Sequence, residues 1–148
     1  MDEQSHQGCL FCEIVAGRAD ASFVATEELA VAVLDVRQFH PGHVLVIPRR
    51  HVSDIRVVDI PTAEAVMRVV ARVARAVDAA FPSDGLSVWH SAGAGANQEI
   101  SHLHFHVHPR VTGDDLLRIY PAPPRYPDRD TLNSWASQLR SLLAGIGA

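Results

Sequence analysis

Lysine is missing from this 148-residue chain; all 13 of its cationic side chains are arginine. Set against 17 acidic residues they leave a formal net charge of −4. Affinity for a nucleic-acid backbone needs clustered positive charge, so this balance argues against a general nucleic-acid binder and leaves small anionic ligands open. Long apolar runs are missing as well. The longest clear one, Leu29 to Leu34, falls well short of the roughly 18–20 residues that cross a bilayer, so no membrane partner is expected. Met1 to Gly8 lacks the basic start and apolar core of a secretory signal, which makes the cytoplasm the expected compartment. Cysteine is scarce. Cys9 and Cys12 are too few and too close together to staple a fold, and in a reducing compartment they read as thiols. Strong compositional bias is absent too: 47% hydrophobic and 20% charged residues, with 9 Gly and 9 Pro, describe one ordinary globular domain.

Short alternating or β-branched runs at Ser22 to Ala25, Leu29 to Leu34 and His43 to Ile47 predict three strands of an antiparallel meander. From Thr62, read as an N-cap just after Pro61, apolar residues recur at Val66, Val69, Val70, Val73, Val77 and Phe81, while Arg68, Arg72 and Arg75 lie off the stripe. That is one long amphipathic helix ending at Pro82. Gly85 to Trp89 and His102 to His108 predict two more strands, joined by a segment from Ser91 to Asn97 too rich in small residues for regular structure. A proline-rich stretch from Pro121 to Pro127 precedes a terminal helix over Thr131 to Leu143. Strands on both sides of one long helix, with hairpin-length links, indicate an α+β fold built on an antiparallel sheet.

The strand His102-Leu103-His104-Phe105-His106-Val107-His108 carries the chemistry. Alternation puts its four histidines on one face and the apolar residues on the other, with neighbouring imidazoles about 6.5–7 Å apart. Two of them can therefore contact one phosphate-sized group. Near neutral pH an unprotonated imidazole is a good nucleophile, while a neighbouring imidazolium can stabilise phosphoryl oxygens. The same alternation can chelate a transition metal, so a metal-binding module stays open as a rival. Cys9-x-x-Cys12 has metal-ligand spacing; the same pair can equally be two thiols at the start of a short helix, and zinc would require two further donors.

The His-x-His-x-His run at His102, His104 and His106 resembles the histidine-triad family signature. The similarity extends through Cys9-Leu10-Phe11-Cys12, Leu29 to Asp35, Pro41 to Pro48, His51, Gln98-Glu99 and Pro109-Arg110, in the order found in bacterial members. It runs from about Cys9 to Asp115, which implies a flexible N-terminus over 1–8, a domain over 9–115 and an extension over 116–148. The resemblance implies a homodimer and a hydrolase or nucleotidyl transferase acting on purine nucleotides or their conjugates. His104 would attack the α-phosphorus to give a nucleotidyl-histidine, His106 would hold phosphoryl oxygens, and His43 would lie near the phosphate or leaving group. A non-catalytic nucleotide-binding protein is the alternative. Asp35 would accept ribose hydroxyls, and Leu10, Phe11, Ile14, Val33 and Val36 would enclose the base. Ser91, Asn97, Gln98 and Glu99 would belong to the nucleotide site, with Ser91 departing from the usual amide and losing its second donor. His108, where the family is usually apolar, is expected to face solvent. By resemblance His51 and His102 would complete a Cys9, Cys12 zinc site, a closed Cys2His2 set that stabilises the fold and does no chemistry.

Overall fold

A computed structural model describes residues 8–147, so the flexible start expected over 1–8 falls, but for Gly8, outside the described residues. Five antiparallel strands form one sheet in the order β1-β2-β3-β5-β4: β1 Phe23–Thr26, β2 Ala30–Leu34, β3 Val44–Pro48, β4 Gly85–Trp89 and β5 Phe105–Arg110. The first three are the expected meander. The chain then leaves the sheet for helix α2, Ile60–Ala80, and returns so that β5 inserts between β3 and β4. This is the α+β architecture the element pattern predicts.

The two faces of the sheet are covered differently. On one, Ala30, Ala32, Val44, Val46 and Val107 meet the Val66, Val69, Val70, Val73 and Val77 stripe of α2 in a single buried cluster. Small and β-branched residues on both sides let helix and sheet approach closely. On the other face Val31, Val33, Leu45 and Ile47 pack against Phe11 and Ile14 of a short helix, α1 (Leu10–Val15). The histidines of β5 share this second face, beside Leu45.

The elements differ from the sequence reading in several places. Helix α2 starts earlier, because Asp59 rather than Thr62 is its N-cap, accepting the Thr62 amide at 3.0 Å; Pro61 sits in the first turn, where a missing N–H costs nothing. Strand β5 starts at Phe105, not His102. The amide of Leu103 donates to the Val52 carbonyl at 2.7 Å, and the preceding residues turn away from the ladder. In the small-residue loop, Ala94–Ala96 form one 3₁₀ turn closed by Asn97 in the left-handed region at φ 60°.

Contacts divide the chain between Asp114 and Asp115. The second unit contains α3, Arg129–Leu143, with Asp128 as its N-cap. No helix among the described residues is long and apolar enough to cross a membrane.

Candidate functional site

Strand pairing assembles the histidines. His106 lies between Leu45 of β3 and Trp89 of β4, and the Trp89 ring stacks on it at 4.4 Å and 3°. One step beyond the Val44–Val107 pair, His43 faces His108, their rings 4.6 Å apart. His104 meets His106 edge-on at 5.0 Å and Phe11 at 5.0 Å. The expected solvent exposure of His108 is wrong. β5 runs on to Arg110, and the fourth histidine of the 102–108 segment is 1% exposed, against His40, His43 and Trp89. Its Nδ1–H donates to the Pro109 carbonyl at 2.7 Å.

Fixed acceptors set the protons. Carbonyls only accept, so His104 carries a proton on Nδ1, which donates to the His102 carbonyl at 2.7 Å, and presents Nε2 as a lone pair. Burial lowers the affinity of His104 for a second proton, only partly opposed by that hydrogen bond. His43 Nδ1–H likewise donates to the Arg37 carbonyl at 3.0 Å, and its Nε2 meets His106 Nδ1 at 2.9 Å. Burial, with the rings of His104 and His43 close by, pushes His106 down to about 3. The imidazolium expected beside the nucleophile is therefore not the resting form of His106. His43 and His106 instead form a hydrogen-bonded pair through which one proton can pass. Asp35 approaches the same pair, its Oδ2 lying 3.6 Å from His43 Nδ1. The donor atoms of Asp35, His43 and His106 lie within 4.8 Å of one another, but the facing nitrogens of the two rings are directed at each other, the geometry of a hydrogen bond.

Asp35 directly follows β2 and is buried. Its Oδ1 accepts the Arg37 amide at 2.8 Å, whereas Oδ2 has no hydrogen-bond partner. A buried carboxylate oxygen in that condition is costly unless a donor reaches it. The residue lines a cavity of about 950 Å³ bordered also by Leu10, Phe11, Ile14, Val33, Val36 and Glu99. Phe11 and Ile14 are buried, whereas Leu10 and Val36 stand at 51% and 97% exposure and form rim rather than wall. The strand histidines are not among the lining residues; Phe11, Asp35 and Leu45, which touch or pair with them, are. Arg37 bridges Asp35 and Glu99 along this cavity, with Nη1 at 2.9 Å from Glu99.

The glycine-rich loop is held by Gln98. Its Oε1 accepts the Gly93 amide at 2.7 Å and its Nε2 donates to the carbonyls of Ser53 and Ile100 at 2.6 and 3.1 Å. The side chain shapes the loop from within. Ser91 is half-buried and Asn97 exposed at the loop's turn.

Cys9, Cys12, His51 and His102 converge at the base of α1, the donor atoms all within 4.8 Å of one another. Cys9 is the N-cap of α1 and Cys12 lies one turn on, so the short-helix reading and the metal-ligand reading of the pair describe the same place. Cys9 Sγ lies 3.4 Å from His102 Nδ1, Cys12 Sγ 3.6 Å from the same atom and 3.3 Å from His51 Nδ1. Tetrahedral zinc with ordinary bond lengths sets sulfur and nitrogen ligands roughly 3.5 Å apart. His102 Nε2–H donates to the Pro48 carbonyl at 2.9 Å, which turns the bare Nδ1 toward the sulfurs. The donor set fits zinc.

Residues 16–113 match the HIT domain family. The chain is a HIT-domain protein. An uncharacterized HIT-like protein from Mycobacterium tuberculosis is 40% identical over 111 residues, 73% of this HIT chain and 75% of the relative. Among solved structures, a Zn-bound histidine triad family protein from Mycobacterium smegmatis is 35% identical, with a TM-score of 0.69 over 91% of this chain and 97% of that one. A hypothetical histidine triad nucleotide-binding protein from Sulfolobus tokodaii is 30% identical, with a TM-score of 0.68 over 90% of each chain. Three residues of this HIT site escaped the sequence reading. Trp89 ends β4 opposite His106, a pairing legible only once β4 and β5 are known to be neighbours. Arg37 and His90 reach the site through loop geometry, for which the sequence offers no periodic signal.

Proposed function

We propose that this HIT-domain protein is a nucleotidyl hydrolase or transferase acting at the α-phosphorus of purine nucleoside phosphoramidates, phosphoesters or dinucleoside polyphosphates. The observation that carries the reading is His104: its Nδ1 proton is anchored on a backbone carbonyl, and burial keeps Nε2 unprotonated. Such a ring is an activated nucleophile. In the first step a P–Nε2 bond forms as the bond from phosphorus to the leaving nitrogen or oxygen breaks. The leaving group takes a proton from Nε2 of His106 as His43, entering the step with protons on both ring nitrogens, passes its Nε2 proton to His106 Nδ1, so that both rings finish neutral. In the second step water adds to phosphorus, the P–Nε2 bond breaks, and the water proton returns to the pair. A neutral His106 serves the phosphoryl oxygens as a hydrogen-bond donor from Nε2 whenever its Nδ1 accepts from His43.

Asp35 lines the cavity and its Oδ2 has no hydrogen-bond partner, which supports the ribose role, since hydroxyls would supply the donors it lacks. Phe11, Ile14 and Val33 offer the apolar wall for a base, and Ser91, Asn97 and Glu99 keep their proposed place around the phosphates and leaving group. Zinc held by Cys9, Cys12, His51 and His102 would stabilise the fold, tying α1 to the segment that carries the nucleophile. The homodimer remains part of the proposal, with the edge strand β4 and its exposed Val88 as the surface to test by solution mass measurement.

The test is incubation with an adenosine phosphoramidate and a dinucleoside polyphosphate. Release of AMP, a nucleotidyl adduct on His104 by mass spectrometry, and loss of both in His104→Ala are the expected results. Tight nucleotide binding without turnover of either compound would replace this reading with the non-catalytic one. Wild-type turnover by His104→Ala would end the nucleophile assignment.

A further inference from the structure

We infer that His90 is a positioning residue for the nucleophile, an inference that rests on the catalytic reading of His104. The β4–β5 ladder stops at the Trp89–His106 pair, so the His104 carbonyl, one residue before β5, is beyond the reach of strand pairing. The imidazole of the residue after β4 takes the place of the missing strand amide. His90 Nδ1–H donates to the His104 carbonyl at 3.0 Å, and its Nε2 accepts the Ile55 amide at 3.3 Å. One ring thus ties the end of β4 to the nucleophile's own peptide and to the loop after His51. It packs on Phe105 at 5.4 Å and edge-on to His104 at 6.2 Å.

The tautomer is dictated by its partners. A carbonyl can only accept and an amide N–H can only donate, so the two nitrogens must differ. The consequence lies in where His104 points. Its neighbour Leu103 is bonded through its amide to the Val52 carbonyl at 2.7 Å, and its own ring is bonded to the His102 carbonyl. Those two bonds hold the 102–103 peptide before His104 and the His90 bond holds the 104–105 peptide after it, so the backbone from which the nucleophile projects is held on both flanks. Small misplacements of a reacting group can cost on the order of 100-fold in rate.

Asparagine places its amide nitrogen near the position of imidazole Nδ1, whereas glutamine reaches the position of Nε2. His90→Leu, His90→Asn and His90→Gln therefore separate the two bonds. With an adenosine phosphoramidate as substrate, His90→Leu is expected to lower kcat on the order of 100-fold with KM nearly unchanged, the split expected when geometry rather than binding is lost. His90→Asn is expected to recover most of kcat, and His90→Gln to stay low. Equal losses in all three variants, in step with their melting temperatures, would reduce His90 to a structural residue and overturn the inference. Unchanged kcat in His90→Leu would overturn it too. The carbonyl ¹³C shift of labelled His104 gives a readout independent of turnover: His90→Leu is expected to move it and His90→Asn to restore it. If the wild type turns over no substrate, the catalytic reading fails, while this shift still reports whether the bond exists; an unmoved shift in His90→Leu removes the bond from the account.

Discussion

Replacing Gly42 with alanine tests how closely the turn before His43 is fitted to the helix beside it. Gly42 has φ +104°, a backbone region that favours glycine, and an added Cβ would lie 2.5 Å from Phe81 Cδ2, 2.9 Å from Cε2 and 3.1 Å from Cγ. Left-handed backbone costs an L-residue roughly 1–2 kcal/mol. Forcing a methyl against a ring at contacts this short adds about 1–3 kcal/mol of overpacking. The sum, about 2–5 kcal/mol, corresponds to a melting shift on the order of 10 °C for a chain of this length. The turn also carries chemistry. Gln38 Oε1 accepts the amides of Gly42 and His43 at 2.8 and 3.1 Å, and its Nε2 donates to the carbonyls of Asp35 and His43 at 2.6 and 2.9 Å, so displacement of the turn moves Asp35 and His43. Urea unfolding gives the stability loss, and turnover of a nucleoside phosphoramidate gives the functional one. A Phe81→Ala background removes the ring; there Gly42→Ala is expected to cost only the backbone part, about 1–2 kcal/mol. The same cost in both backgrounds would refute the clash, and no cost in either would refute the turn conformation itself.

The buried histidines make stability fall on acidification. Burial lowers His104, His106 and His108 from 6.5 in the folded state, His106 to about 3. Between those limits the unfolded chain binds more protons, so the unfolding free energy drops as pH falls through that window. Thermal melts of zinc-free protein at stepped pH are expected to show this slope, and His106→Gln to flatten it; an unaltered slope in that variant would remove His106 from the explanation. Metal content is expected to be one zinc per chain by elemental analysis, with a chelator or Cys12→Ser lowering the melting temperature; metal-free protein indifferent to chelator would defeat the zinc assignment. Gln98→Ala breaks three loop bonds worth about 0.5–1.5 kcal/mol each. It is expected to speed amide exchange at Gly93, and unchanged exchange would show that the loop holds its shape without Gln98.

Local pattern and tertiary placement contributed different parts of this protein. Strand alternation put His106 and His108 on one face, and valines at helical spacing declared the face of α2; both follow from backbone periods that are properties of the chain alone. The Cys9-x-x-Cys12 spacing was equally legible, and the family resemblance named its two histidine partners. The partners of each strand residue were not legible, because pairing depends on which strands become neighbours. β5 inserts between β3 and β4, and only that order stacks Trp89 on His106, buries His108 beneath His43, and ends the ladder where His90 reaches the His104 carbonyl. Protonation was decided at the same level. Sequence assigns a histidine its ordinary range near neutrality, but burial and fixed carbonyl acceptors determine which nitrogen keeps the proton and how strongly a second one is resisted.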